Sequence, residues 1–275
     1  MAIHYLERHQ IDSTKWDTCI ASNPHTENLF AYSGYLDIAC DAWSALVLGD
    51  YVSIMPLPWR QKLGIYYIYP PFFLPSLGIF GKEIENEYFT SWVNAIPQKF
   101  QWIDLLLHEN LYEGLQNFTG IWHKTFTLDC SLPYMELKKA YHKNHKRNCQ
   151  KASEEGLSIV NNFSFSETIN LFKENQAKMF KAGYKTADYK RLMHLLEYLQ
   201  KNRQLKSYGV LDGNGTLCAA VLFPNLNGKY YFLFSGRNAA SNQNRAMFLL
   251  LDTFIQQHAE EFCTLIFNGS DNLHI

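Results

Sequence analysis

Six cations, Lys138, Lys139, Lys143, Lys146, Arg147 and Lys151, fall in one stretch, SLPYMELKKAYHKNHKRNCQKASEEG (residues 131–156), out of 25 lysines and arginines in the whole chain. Clustered ammonium and guanidinium groups are suited to phosphate or carboxylate, through charge-assisted hydrogen bonds. Wound as a single helix, the stretch puts Leu137, Tyr141 and Ala152 on one side and Lys139, Lys143 and Lys146 on the other, with Arg147 beside them. One face packs and the other is positive. The plainer reading of such a run is a solvated face. Cys149 lies among these cations, which would lower its pKa, but no histidine base shares its face. His142 and His145 stand three apart without an acidic or thiol partner nearby, so no metal site is expected from them.

Whatever anion such residues hold must be bound locally, because the net charge is only −1 over 275 residues. That balance gives no global attraction to nucleic acid or to an anionic membrane. With 47% hydrophobic, 15% aromatic and 19% charged residues, the chain is expected to be globular, and its length suggests two domains. The opening MAIHYLERHQ has no apolar run of signal-peptide type, and no later run reaches the ~18 residues of a spanning helix. A cytoplasmic protein without membrane insertion is expected. Six cysteines, at 19, 40, 130, 149, 218 and 263, form no CxxC pair and read as reduced, buried thiols. Neither GxGxxG nor GxxxxGK[ST] occurs, which disfavours a Rossmann or P-loop nucleotide site. No Ser/His/Asp or Cys/His grouping stands out.

The elements that must position these groups follow from periodicity. Helices are predicted at 13–22 and 32–40, then a hairpin of strands at 43–49 and 51–59, a third strand at 64–70 closed by Pro70 and Pro71, a helix at 83–95, and an apolar strand at 102–108 buried on both faces. More strand material runs from 118 to 129, with Ser131 and Pro133 as cap and first turn of the basic helix. A strand at 157–163 and helices at 166–180 and 186–202 come next. A meander at 205–211, 216–223 and 229–236 leads to a helix at 246–259, where Met247, Leu250, Leu251, Phe254 and Ile255 make a core-facing stripe. A buried strand at 264–270 ends the series. The order of three strands, helix and strand thus occurs twice, over 43–108 and 207–270, and implies two similar α/β (α+β) units, residues 1–132 and 133–275, each with a mixed, mostly antiparallel sheet flanked by helices.

This order resembles the acyl-CoA N-acyltransferase (GNAT) fold, and its duplication resembles the tandem branch of Fem-type aminoacyl and acyl transferases. KNHKRNCQKASEEGLSIV (143–160) is similar to that family's basic K-x-x-R-N-x-x-K-A-x-x-x-G segment, and PLPWRQKLGIYYIYPPFFLPSLGIFG (56–81) to its strand and proline-bounded loop. The chain departs from the family in lacking a coiled-coil hairpin, which disfavours tRNA, and in stopping soon after the last strand.

The resemblance implies a donor, acyl-CoA or aminoacyl-tRNA, whose carbonyl docks on the splayed strand at Tyr230–Arg237. Its phosphates would sit at the turn Asn238–Arg245, held by Arg237, Asn244 and Arg245, with no tightly bound cofactor. An α-amine acceptor is partly deprotonated at neutral pH, so a strong base is not obligatory. Tyr231, Ser235 and Asp271 are the catalytic candidates, with Asn268 as orienter; in the structural reading Tyr231 packs in the strand and Asp271 makes a turn. Arg60 and Tyr67, beside Lys62, Tyr66 and Tyr69, would hold a small-molecule or peptide acceptor in a cleft between the domains, and the basic residues Lys143, Lys146 and Arg147 a phosphate-bearing donor or acceptor. Two other functions fit the sequence: a catalytically silent GNAT-like binding protein, and an RNA-binding protein using residues 138–151.

Overall fold

The computed structural model describes residues 1–82, 89–108, 118, 120, 121, 123–175 and 184–267. The chain divides into two compact units, Met1–Trp122 and His123–Ile275.

In the first unit, β1 (Ile3–Glu7) is followed by α1 (Ser13–Ala21) and α2 (Ser33–Ala39). The Asp12 carboxylate caps α1 by accepting from the Thr14 and Lys15 N–H groups. Then come β2 (Ala42–Leu48), β3 (Ser53–Lys62), β4 (Ile65–Ile68), β5 (Phe80–Gly81), α3 (Phe89–Asn94) and β6 (Phe100–Ile103). The sheet order is β1-β2-β3-β4-β6, antiparallel except for the parallel β4–β6 pair. Long β3 pairs with β4 at its end, Trp59 to Lys62, and with β5 at its start, Ser53 and Ile54. Leu46, Met55, Leu57 and Ile68 pack on Phe89, Trp92 and Phe100 to make the core. The expected strand at 102–108 is corrected: β6 ends at Ile103, lies at the edge of the sheet, and exposes Gln101, Trp102 and Ile103. An unbroken apolar run says nothing about whether both faces acquire partners. Of the helix expected at 83–95, only α3 lies among the described residues.

The second unit repeats the plan and adds a strand. It runs β7 (Phe126–Asp129), α4 (Tyr134–Ala140), α5 (Lys143–Ser153), β8 (Ser158–Val160), α6 (Phe165–Asn175), α7 (Thr186–Lys201), β9 (Leu205–Leu211), β10 (Leu217–Leu226), β11 (Lys229–Phe232), β12 (Phe234–Arg237), α8 (Ala239–Asn244), α9 (Ala246–His258) and β13 (Thr264–Phe267). Sheet order is β7-β13-β11-β10-β9-β8, with β12 paired to β10. The β10–β11 hairpin turns at Asn227 and Gly228, both at positive φ (47° and 79°), the backbone that an Asn-Gly pair favours. From β8 onward the order is strand, two helices, three antiparallel strands with the third broken, helix, and a strand parallel to the first piece of the broken one. The first unit has that order from β1 to β6. Strand β1 and helix α8 have no counterpart in the sequence-based reading.

The basic stretch is two helices instead of one. Tyr141 and His142 adopt extended backbone between α4 and α5, and the His142 ring accepts from the Asn144 N–H as the N-cap of α5. Pro133, not Ser131, precedes the first turn, and no side chain caps α4. All six cysteines are free and buried. No helix of the described residues is long and apolar enough to cross a membrane.

Candidate functional site

In the second unit the third strand of the meander breaks at Leu233, whose N–H donates to the Tyr231 carbonyl 2.8 Å away, leaving one residue outside the ladder. Two consequences follow. First, β11 runs parallel to β13 over Lys229–Phe232, but β12 pairs only with β10 among the described residues, so the strand parts from β13 at this point. Second, the extra residue reverses the alternation of side chains. Tyr230 faces α9, its ring 5.3 Å from Phe254, while Phe234 faces α6, its ring 4.7 Å from Phe172. Ser235, opposite Val221 of the α9-facing core, therefore lies on the α9 side, and Tyr231 on the other side, although residues four apart in a regular strand share a face.

The Asn238 N–H donates to the Cys218 carbonyl at 3.0 Å, which fixes the register of the β10–β12 ladder. Antiparallel alternation then turns the main-chain N–H groups of Ser235 and Arg237 away from β10, toward the edge that β13 has left. Gly236 allows α6 to lie directly on the strand: a Cβ there would stand 2.6 Å from the Thr168 carbonyl oxygen and 2.9 Å from the Phe172 nitrogen.

The turn after β12 is filled by α8, capped by the Asn238 side chain on the Ser241 N–H. Asn244 is buried, accepts from the Ala246 N–H at 3.1 Å, and reaches the Cys218 sulfur, so its side chain holds the α8–α9 junction. One of the amides available at the α9 N-terminus is thereby used internally. The guanidinium groups differ. Arg237 ends β12 and Arg245 is the N-cap of α9 at φ 60°; the Nε atoms of both are buried and find no hydrogen-bond partner among the described residues. Arg245 also donates from Nη1 to the Asn242 carbonyl. A desolvated charged donor without an acceptor costs about 1–3 kcal/mol or more, which an arriving anion would recover.

Asp271 and Asn268 lie outside the described residues. Lys143, Lys146 and Arg147 are exposed on α5; Lys146 donates to the Lys139 carbonyl at 2.7 Å, bridging the two basic helices, and Arg147 donates to the Asn144 side chain at 2.8 Å. Lys138 pairs at 3.5 Å with Asp252 of α9, which also accepts from the Tyr134 and Tyr141 hydroxyls, each at 3.0 Å. Burial pushes the Cys149 thiol up to about 12, with Asp252 adding to it, which opposes thiolate formation where the sequence suggested a lowered value. In the first unit Arg60 is ion-paired with Asp41 and lies 4.2 Å over the Tyr69 ring, and Tyr67 packs edge-on against Tyr69.

A long strand whose third partner breaks, parts from a parallel neighbour and leads into a helix occurs in both units. The fold is a tandem GNAT fold. The crystal structure of FemX superposes with a TM-score of 0.67 at 11% identity, covering 100% of this chain and 90% of that one. A conserved protein of unknown function from Bacteroides thetaiotaomicron gives 0.60 at 11% identity over 99% and 92%. A tandem GNAT protein from the clavulanic acid biosynthesis pathway gives 0.52 at 11% identity over 99% and 91%. No family model and no curated protein matches the sequence. Sequence reasoning, which took a splayed strand at Tyr230–Arg237 from the resemblance, missed the position of its break at Leu233 and the anchoring role of Asp252. Only the first had a local signal, in that nine residues from Tyr230 to Asn238 are long for one straight strand next to a short parallel partner.

Proposed function

We propose that the protein transfers an acyl or aminoacyl group from an activated, phosphate-bearing donor to an amine. The observation that carries this reading is the break at Leu233, which turns the Arg237 N–H outward next to two buried guanidinium nitrogens that find no partner among the described residues. In this reading the donor carbonyl accepts from the outward Arg237 N–H, whose dipole is already aimed at the oxygen that becomes negative during attack. Arg237 and Arg245 take the donor's phosphates. The neutral amine attacks the carbonyl carbon, the carbon–sulfur or carbon–oxygen bond to the donor breaks, and the leaving thiolate or alkoxide takes up the proton that the amine loses. Ser235, on the α9 side of β12, and Tyr231, on the opposite side, are candidates for guiding that proton; Asp271 remains a third. Arg60 and Tyr67, and the exposed Lys143, Lys146 and Arg147, are assigned to the acceptor. The tandem GNAT neighbour's description mentions AcCoA, which favours acyl-CoA over aminoacyl-tRNA as the donor.

The test is calorimetric titration with CoA, acetyl-CoA and longer acyl-CoAs, and in parallel mass-spectrometric detection of transfer from acyl-CoA or charged tRNA to an amine panel. Each lost guanidinium contact of about 1.5–3 kcal/mol should weaken donor binding roughly 10- to 100-fold in Arg237→Ala and Arg245→Gly. Glycine suits the left-handed backbone at position 245, so the second variant should melt no lower than the wild type. Absence of binding and transfer with every donor, or unchanged affinity in both variants, would sink the proposal.

A further inference from the structure

At the other end of α9 a second set of groups converges that acyl transfer does not use. His258, the last residue of the helix, Glu261 and Cys263 bring a ring nitrogen, a carboxylate oxygen and a sulfur within 4.8 Å of one another. The His258 Nδ1 stands 2.5 Å from Glu261 Oε2. The turn that gathers them is held by the Glu260 N–H donating to the Cys130 carbonyl at 2.9 Å, with Glu260 itself at φ 65°. Cys130 follows β7 and lies directly opposite Cys263, one step beyond the Asp129–Thr264 pair, with its N–H donating to the Cys263 carbonyl at 3.0 Å. The Cys130 thiol donates to the Leu128 carbonyl at 3.8 Å and the Cys263 thiol to the His258 carbonyl at 3.9 Å.

We propose that His258 Nδ1, Glu261 and Cys263 form a binding site for one divalent cation of the zinc class, with Cys130 on the paired strand as the fourth ligand once the ion is bound. A donor set of one imidazole, one carboxylate and thiols matches what Zn²⁺ takes in four-coordinate sites. Ligands at about 2.0–2.3 Å from a tetrahedral metal stand roughly 3.3–3.8 Å apart, so the His258, Glu261 and Cys263 atoms, all within 4.8 Å of one another, need to move by only about an ångström to close on an ion. The outer shell is already assembled. With Nδ1 as ligand, Nε2–H of His258 points to the Tyr208 hydroxyl 3.4 Å away, and that hydroxyl donates to Gln257 Oε1 at 2.7 Å. Tyr230 and Phe254 stack on the ring at 4.8 and 4.4 Å and fix its plane. Such support is how proteins hold a ligating histidine in one tautomer. Cys130, Cys263 and His258 are buried, whereas the Glu261 side chain is 52% exposed and gives the ion its way in. The ion would join the end of α9 to β13 and β7, so the site is structural.

The test uses the full chain, reduced, stripped with a chelator, and mixed with Zn²⁺ or Co²⁺. Expected are one zinc retained per chain after gel filtration, a higher melting temperature, and a thiolate-to-cobalt charge-transfer band in the Co²⁺ form. That band should be weakened in Cys263→Ser and in Cys130→Ser, lost when both are replaced, and kept in Cys149→Ser. Tyr208→Phe, a positioning change, should weaken zinc about 10-fold with the band intact. Should the cysteine variants fail to fold, Glu261→Gln at an exposed carboxylate gives the same affinity test. Failure to retain zinc, or retention that neither the cysteine changes nor Glu261→Gln alters, would overturn the proposal.

Discussion

Three donors converge on the Asp252 carboxylate: the Tyr134 and Tyr141 hydroxyls and, at 3.5 Å, Lys138. The side chain is 14% exposed, and it ties α4 and the link between the two basic helices to α9. Replacing it with asparagine keeps the shape and removes the charge, which leaves Lys138 without its counter-ion and weakens both tyrosine hydrogen bonds. Asp252→Asn should cost about 1–3 kcal/mol, read as a lower urea midpoint with an unchanged m-value. A midpoint equal to the wild type would show that the cluster contributes nothing net. Asp252 could not be singled out in the sequence. It falls beside the apolar stripe of α9 like any half-exposed helix residue, and its partners are over a hundred positions away. The cations, by contrast, were evident at once, and what tertiary structure added is that several of them are engaged with the protein itself.

The division of the basic stretch into α4 and α5 illustrates how an element can be legible while its continuity is not. Nothing in the charge pattern breaks at Tyr141, and helix propensity alone would carry the helix through. The break is stabilised from outside by the Tyr141 hydroxyl on Asp252, and locally by the His142 ring on the Asn144 N–H. Contact between α6 and β12 gives an element-scale prediction. Gly236→Ala places a methyl 2.6 Å from the Thr168 carbonyl oxygen, forcing α6 off the strand that the proposed donor uses. Overpacking of this kind costs about 1–3 kcal/mol. Gly213→Ala, at a turn with nothing within 4 Å, is the control and should leave thermal unfolding unchanged. Equal melting of the two variants would mean that α6 gives way freely.

Buried thiols and phenols are spread over both units and tie the stability of the whole molecule to alkaline pH. Burial raises Cys19 to about 11, Cys149 and Cys263 to about 12, and Tyr69, Tyr184 and Tyr208 to about 12. Fully buried Tyr35, and Tyr141 beside Asp252, are pushed higher still. Each group has a folded pKa above its ordinary value of 9.0 or 10.0, so the unfolded chain loses its protons first. The associated stability is fully present below about pH 9 and declines as pH rises through the folded values, at up to about 1.4 kcal/mol per pH unit for each group. Urea unfolding under reducing conditions should therefore show a falling midpoint between pH 9 and 11; a flat profile would contradict the burial of these groups.

By itself the sequence determined most of the order of strands and helices, the duplication, and the buried state of the cysteines. These are properties of local periodicity, turn chemistry and composition, all of which act within a few residues. Tertiary structure decided where the long helix breaks, on which face Tyr231 and Ser235 lie, and which polar groups are left without partners at Arg237 and Arg245. It also brought Cys130 to His258, Glu261 and Cys263. Each of these depends on one extra residue in a ladder or on pairing between strands far apart in the chain. Local pattern carries no record of such pairing, because its free energy arises only when distant surfaces are buried together.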